Sequence, residues 1–213
     1  MARNKHPEET ASRILSAAAR LFLEKGYDRT SLQDIIQQTG LSKGAIYHHF
    51  SSKEAIFEAI CTQVGQKNAA RFAKIRDDER LTGAEKLRAV FRSAILDPAQ
   101  KEVLDIVPFL LDHPRYLAMQ LREIMTLSVP EYIQPILEQG MADGTLAIQD
   151  PQALGEALMV LVGIWLHPTL QPTTPEETRA RCAVFNRFTQ SCGLGVLLEE
   201  DLIQVYVNYT RRG

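Results

Sequence analysis

The chain has 213 residues, 45% of them apolar and 23% charged, with a formal net charge of −2. That is enough for one or two domains with ample cores, and it excludes a disordered, collagen-like or highly charged tail-like chain. Residues 1–60 hold 8 Lys/Arg against 7 Asp/Glu, and residues 61–213 hold 16 against 19, so net charge alone does not advertise a nucleic-acid partner and any basic patch must be local. The longest apolar run, Ala157 to Leu166, has ten residues, short of the ~18 a membrane span requires. Met1 to Pro7 is polar and unlike a signal peptide, so a cytoplasmic location with no membrane partner is expected. Cys61, Cys182 and Cys192 are too few and too scattered for a disulfide framework or a zinc site and are expected to be small packing residues.

Pro7 can open a first helix, with Glu8 and Glu9 at its positive end. Ile14, Leu15, Ala18, Leu21 and Phe22 recur at helical spacing until Gly26. The stretch Thr30 to Phe50 reads as helix, tight turn, short helix. Ser31 and Asp34 have the spacing of a helix start, Ile35 and Ile36 give an apolar side, and Thr39-Gly40 ends the helix. Ser42 then caps a second helix carrying Lys43, Gly44, Ala45, Ile46, Tyr47, His48, His49 and Phe50. Its small residues come first and its hydrogen-bonding residues follow, while only Ile46 and Phe50 are plainly apolar, on one face. A helix entering a DNA major groove needs that order: little side chain where the backbone approaches, then donors for phosphates and base edges. Ser51 or Ser52 starts a fourth helix whose Ile56, Phe57 and Ile60 point into the N-terminal core and which leads out of that domain.

The run LFLEKGYDRTSLQDIIQQTGLSKGAIYHHFSSKEAIF closely resembles the DNA-binding domain of the tetracycline-repressor (TetR) family of transcription regulators. The resemblance covers about a quarter of the chain. It implies an all-α fold, with an N-terminal three-helix helix-turn-helix domain over residues 1–60 (motif about 31–50). A larger helical ligand-binding and dimerisation domain over 61–213 would follow. Carried over position by position, Thr30, Ser31, Ser42, Tyr47, His48 and Lys53 match residues that meet phosphates, and Lys43, Gly44, Ala45 and His49 match residues near bases. Ala45 departs from the Thr or Ser common there, which removes a hydrogen bond and leaves an apolar contact for a thymine methyl.

From about Thr82 the pattern stays helical. Leu87, Val90, Phe91, Ala94 and Ile95 form one stripe ending near Asp97-Pro98. Val103 to Leu110 form another, kinked at Pro108 and closed by His113-Pro114. Tyr116 to Leu127 continues helically, Pro130 and Pro135 punctuate the next segment, and Gly140 is expected to stop it. Three helical stretches follow: Leu154 to Trp165, then one from Pro175 with the stripe Ala180, Val184, Phe188 and Ser191/Cys192, then one carrying Leu198, Leu202, Val205, Tyr206 and Tyr209. Phe91, Phe109, His113, Tyr116, Met119, Met159 and Trp165 are candidates to line a small-molecule pocket, since such sites are mostly apolar with a few polar groups.

Enzyme chemistry finds no support. Gly40-Leu41-Ser42-Lys43-Gly44 is formally a nucleophile elbow, but a helical segment precedes it where that motif needs a strand. His48 and His49 point ~100° apart on a helix and cannot chelate one ion. No Walker loop, zinc spacing or dinucleotide fingerprint occurs, and neither metal nor cofactor is expected. The expected protein is a non-enzymatic, homodimeric regulator. Its partners would be a double-stranded DNA operator and an unidentified small-molecule effector, and by resemblance repression is the expected sign. A regulator that is ligand-independent or partner-controlled, and a helical adaptor, are the alternatives.

Overall fold

A computed structural model of the protein describes residues 7–97, 111, 114–168 and 170–210. Phe109, His113 and the Val103–Leu110 stripe with Pro108 lie outside these residues. All regular structure among the described residues is helical, so the fold is all-α, an N-terminal helix-turn-helix domain followed by a helical domain. The described chain divides into two compact units at Gln66/Lys67, a point within one long helix.

In the first unit, α1 (Pro7–Lys25), α2 (Leu32–Thr39), α3 (Lys43–His49) and the start of α4 (Lys53–Arg76) follow one another with short links. Each start is chemically marked. Ser31 and Asp34 form a reciprocal capping box, the Ser31 hydroxyl accepting from Asp34 N at 3.2 Å and Asp34 Oδ2 accepting from Ser31 N at 2.8 Å. Ser42 accepts from Ala45 N and Ser52 from Ala55 N, both at 3.2 Å. Gly40 ends α2 with φ 64°, the left-handed conformation that a side chain would strain. Ile14, Ala18, Phe22, Ile35, Ile46 and Ile56 are almost wholly buried and form the small core. Phe22, Tyr27 and Phe57 complete it, with ring centroids 4.9–6.2 Å apart.

In the second unit the described helices are α5 (Gly83–Ile95), α6 (Pro114–Glu123), α7 (Gln134–Ala142), α8 (Pro151–Val160), α9 (Pro175–Ser191) and α10 (Glu200–Thr210). Two stretches are π-helical: Ile124–Ile133, which joins α6 to α7, and Leu161–Trp165, which extends α8. Pro130 accounts for the first. It has no N–H to donate and its ring crowds the preceding turn, and the chain widens rather than breaks. The helix therefore runs from Pro114 to Ala142 through both prolines that were expected to punctuate it.

Two glycines set the packing here. Gly140 does not stop its helix; it leaves room for the Leu146 side chain, whose Cδ1 lies 2.4 Å from where a Gly140 Cβ would stand, and Gly83 lets α5 approach, since a Cβ there would stand 2.2 Å from Gly140 N. Around that contact Gly83 N donates to Asp143 Oδ2 at 2.8 Å, and the buried Lys86 ammonium spans Arg76 O and Gln139 Oε1, both at 2.6 Å. Lys86 thus caps the carbonyl end of α4. The core of this unit gathers Leu87, Phe91, Ile133, Ile136, Leu137, Leu158, Phe185 and Leu202.

On α9 the buried face is Thr178, Cys182, Phe185 and Thr189. The stripe read from the sequence is the other one: Ala180 and Val184 are exposed and Phe188 and Cys192 half-buried. Both rows have helical spacing, and the core takes the one that holds Phe185.

Candidate nucleic-acid interface

α3 has seven residues, about two turns. Ile46 is fully buried and anchors it to the core, and Phe50, half-buried, closes its end by donating its N–H to Ile46 O at 2.9 Å. The opposite side is open: Lys43, Gly44, Tyr47 and His48 are exposed, and Ala45 and His49 half-exposed. No atom lies within 4 Å of where a Gly44 Cβ would stand. The Lys43 ammonium lies 5.6 Å from the Tyr47 ring centroid, a cation–π pairing that keeps both side chains on the outer face. α3 carries no acidic residue.

The flanking residues divide by what their polar atoms already do. The Ser42 hydroxyl accepts from Ala45 N and keeps its own hydrogen for an outside acceptor. The Ser31 hydroxyl donates to Asp34 Oδ2 at 2.6 Å while accepting from Asp34 N, so its role is the cap. Hydrogen bonds from Ser31, and then from Lys25 2.9 Å away, hold the Asp34 carboxyl well below the usual carboxylate range. Lys53 is poised rather than loose: its ammonium donates to Tyr27 O at 2.8 Å and lies 4.2 Å from the Tyr27 ring centroid. With three N–H donors it retains capacity for a phosphate. Thr30 departs from the expectation. It is 1% exposed, and its hydroxyl lies 2.8 Å from Gly26 O and 3.3 Å from Leu21 O, locking the end of α1 instead of facing outward.

Two positioning residues were not anticipated. Tyr27 is the platform for Lys53, and the Arg13 guanidinium donates to Thr39 O, tying α1 to the end of α2. Arg13 adjoins the apolar Ile14-Leu15 pair, and nothing local in the sequence distinguishes it from a solvent-facing charge.

The pocket candidates scatter. Phe91 is core: 3% exposed, its ring 6.0 Å from that of Phe185. Met159 and Trp165 pack partly against the same core. Tyr116 is buried on α6 outside that core, its hydroxyl accepting from Gln120 Nε2 at 2.7 Å, and Met119 is half-buried. Phe109 and His113 fall outside the described residues. An open depression of about 410 Å³ lies elsewhere, lined by Gln134, Asp150, Pro151, Gln152, Ala153 and Glu156, none of which was a candidate. Among the described residues no His, Cys, Asp and Glu side chains cluster to hold a metal ion, and no helix is long and apolar enough to cross a membrane. Cys182 is buried, and burial pushes its thiol up to about 11, which keeps it un-ionised.

Comparison with known proteins bears on this interface. Residues 14–60 match the family described as bacterial regulatory proteins, tetR family. The HTH-type transcriptional regulator UidR of Escherichia coli is 42% identical over 65 residues, 30% of this chain and 33% of UidR. The HTH-type transcriptional regulator TtgR of Pseudomonas putida is 31% identical over 104 residues, 47% of this chain and 50% of TtgR. The chain thus spans half or less of these curated relatives. The fold likeness extends further: a crystal structure of a TetR-family transcriptional regulator from Pectobacterium atrosepticum superposes with a TM-score of 0.61 at 26% identity, covering 89% of this chain and 95% of that one. With the capped helix-turn-helix and the matched segment, residues 14–60 belong to the TetR family of bacterial regulatory proteins, and the fold likeness to a TetR-family regulator runs through most of the chain.

Proposed function

We propose that this protein is a DNA-binding transcription regulator that acts as a homodimer on a two-fold operator. The observation that carries the reading is the outer face of α3. Lys43, Gly44, Tyr47 and His48 are exposed side by side, Gly44 has open space beside it, and Ile46 fixes the helix from behind. A rigid helix presenting a small residue first and donors after it suits a major groove. Ser42 and Lys53 flank it with donors suited to phosphates.

Two turns of helix offer few base contacts, so one copy binds weakly. A second copy on a two-fold site roughly doubles the contact free energy, which makes dimerisation part of specificity. The second apolar row of α9, with Val184 43% exposed, and the exposed Ala153 and Ala157 of α8 are the surface proposed for that dimer. A small molecule held in the unit that begins at Lys67 would favour a conformation in which the two copies of α3 no longer meet successive grooves. A coupling of ~1–3 kcal/mol loosens the operator about 5- to 150-fold. Repression relieved by the ligand is the sign proposed, and deleting the protein would then raise transcription of the operon it controls.

Fluorescence anisotropy against the DNA upstream of its own coding sequence, with scrambled DNA of equal length as control, tests the reading. A preference of ~10³ or more, two protomers per site and a steep salt slope are expected. Equal, weak binding to both DNAs, unchanged by Lys43→Ala, would overturn it in favour of a helical adaptor.

A further inference from the structure

Ile46 is wholly buried and fixes which side of α3 faces away from the core. At 3.6 residues per turn, each step along a helix rotates the side chain by about 100°. Gly44 and His48, two steps before and two steps after Ile46, therefore both lie within about 20° of the direction opposite it. Lys43 and His49, three steps away, lie about 60° from the buried direction, on the two flanks. Exposure agrees with this order: Gly44 and His48 are exposed, and His49 is half-buried. Family position implies the reverse for the two histidines, His48 at phosphate and His49 near bases.

Gly44 and His48 form the crest of α3, one turn apart. No atom lies within 4 Å of where a Gly44 Cβ would stand, so the His48 imidazole does not fold back over the glycine. Its ring instead meets that of His49, with centroids 5.4 Å apart and planes at 76°, and the His49 ring stands 6.4 Å from that of the half-buried Phe50. The three rings run from the edge of the core to the crest and restrict the rotamers open to His48. The bare backbone at Gly44 allows a close approach, and the imidazole stands forward of it one turn on.

The sequence of α3 narrows what this crest can read. KGAIYHH holds no Asn or Gln, the amides that pair bidentately with adenine, and no Asp or Glu to accept from the cytosine amino group. The crest offers an imidazole N–H. Guanine suits it best, because its major-groove edge shows two acceptors, N7 and O6, and no donor, whereas adenine and cytosine each show an amino donor there. We propose that His48 is a base-reading residue and selects guanine at one position of each half-site, Gly44 giving the approach and His49 holding the ring. The assignment rests on the reading that α3 enters a major groove, and it names the base edge met there.

The test uses the full chain to select sites from a randomised duplex library, in parallel with His48→Ala, His48→Arg and His48→Gln. Each selected site is then scored by anisotropy against its single base-pair variants. His48 is exposed, so the variants are expected to melt with the wild type. The wild type is expected to select half-sites with one guanine that His48→Ala no longer prefers. Discrimination at that position should fall from about fivefold or more to under about twofold, while every other position keeps its preference. His48→Arg should keep the guanine, and His48→Gln should move the preference to adenine. An unchanged consensus for His48→Ala, with affinity lowered alike on all sites and a shallower salt slope, would place His48 at a phosphate and overturn the proposal. Loss of preference at a base pair without guanine on the strand facing α3 would overturn it too. A two-fold consensus that does not depend on His48 removes this proposal and leaves the regulator reading standing. No enriched sequence for the wild type removes both.

Discussion

The two units differ in which polar groups they take inside. In the N-terminal unit the hydroxyls of Ser31, Ser42 and Ser52 close helix ends, as those of Thr82 and Thr174 do in the other; its buried polar side chains are the small Thr30 and Thr39, and the polar side chains of α3 point outward. In the other unit helices widen to π form, glycines admit backbone against backbone, and larger, titratable groups are taken inside: Lys86 at 4% exposure and His167 at 8%. A surface that must fit an external groove is best served by a regular, well-capped helix. In the other unit the widened turns shift side chains out of the regular helical register, and the buried Lys86 is held by Arg76 O and Gln139 Oε1.

Four changes would break or sharpen this contrast. The largest effect is expected from Gly44→Leu. The site is open in the protein, and leucine is a better helix former by roughly 0.5–1 kcal/mol, so the melting temperature should hold or rise. In the groove the added side chain collides with DNA, and operator affinity should fall ~10³-fold, to the non-specific level. Retained operator affinity in an anisotropy titration would remove α3 from the groove.

Next is Gly83→Ala in the other unit. Its Cβ would stand 2.2 Å from Gly140 N and 2.9 Å from Ile136 O, backbone that cannot rotate away. A loss of about 3 kcal/mol in urea unfolding is expected, as for severe overpacking. A loss under ~1 kcal/mol would mean that the α5–α7 contact gives way.

His167 comes third. Burial lowers its pKa to about 4 from the ordinary 6.5, so the folded state disfavours the proton that the unfolded chain accepts. The stability contributed by the neutral ring is full above pH 6.5 and is lost as pH falls toward 4, up to about 3 kcal/mol at 1.36 kcal/mol per unit. Glu123, whose pKa is raised, works with the opposite sign: its contribution is present at low pH and lost as pH rises through its folded value. Unfolding free energies of wild type and His167→Phe across this interval check the claim, the variant being expected to lack most of the slope.

The smallest effect is Ser31→Ala, about 1 kcal/mol for the loss of one cap, read as a lower melting temperature. An unchanged melt would show that Asp34, paired with Lys25 at 2.9 Å, holds the start of α2 without the hydroxyl.

How much was legible in the sequence divides along the same line. Ser31 with Asp34, Thr39-Gly40 and Ser42 are signals whose chemistry acts within four residues, so the helix-turn-helix could be read from the residues alone. In the rest of the chain the deciding interactions are long-range. Gly140 reads as a stop until Gly83 is seen against it. Pro130 reads as a break, yet the helix widens around it. Val184 and Phe185 lie on two competing apolar rows, and only the assembled core selects between them. Thr30 was assigned by family position to a phosphate contact, while its local carbonyl partners, Leu21 and Gly26, turn it inward.

The central claim is that two copies of α3 enter successive major grooves of one operator. Hydroxyl-radical footprinting of the bound upstream DNA measures this directly. Two protected half-sites related by two-fold symmetry and centred ~34–36 Å apart, about 10–10.5 base pairs, are expected, with protection lost for Gly44→Leu. A single protected half-site, or protection unaltered by that substitution, would contradict the account.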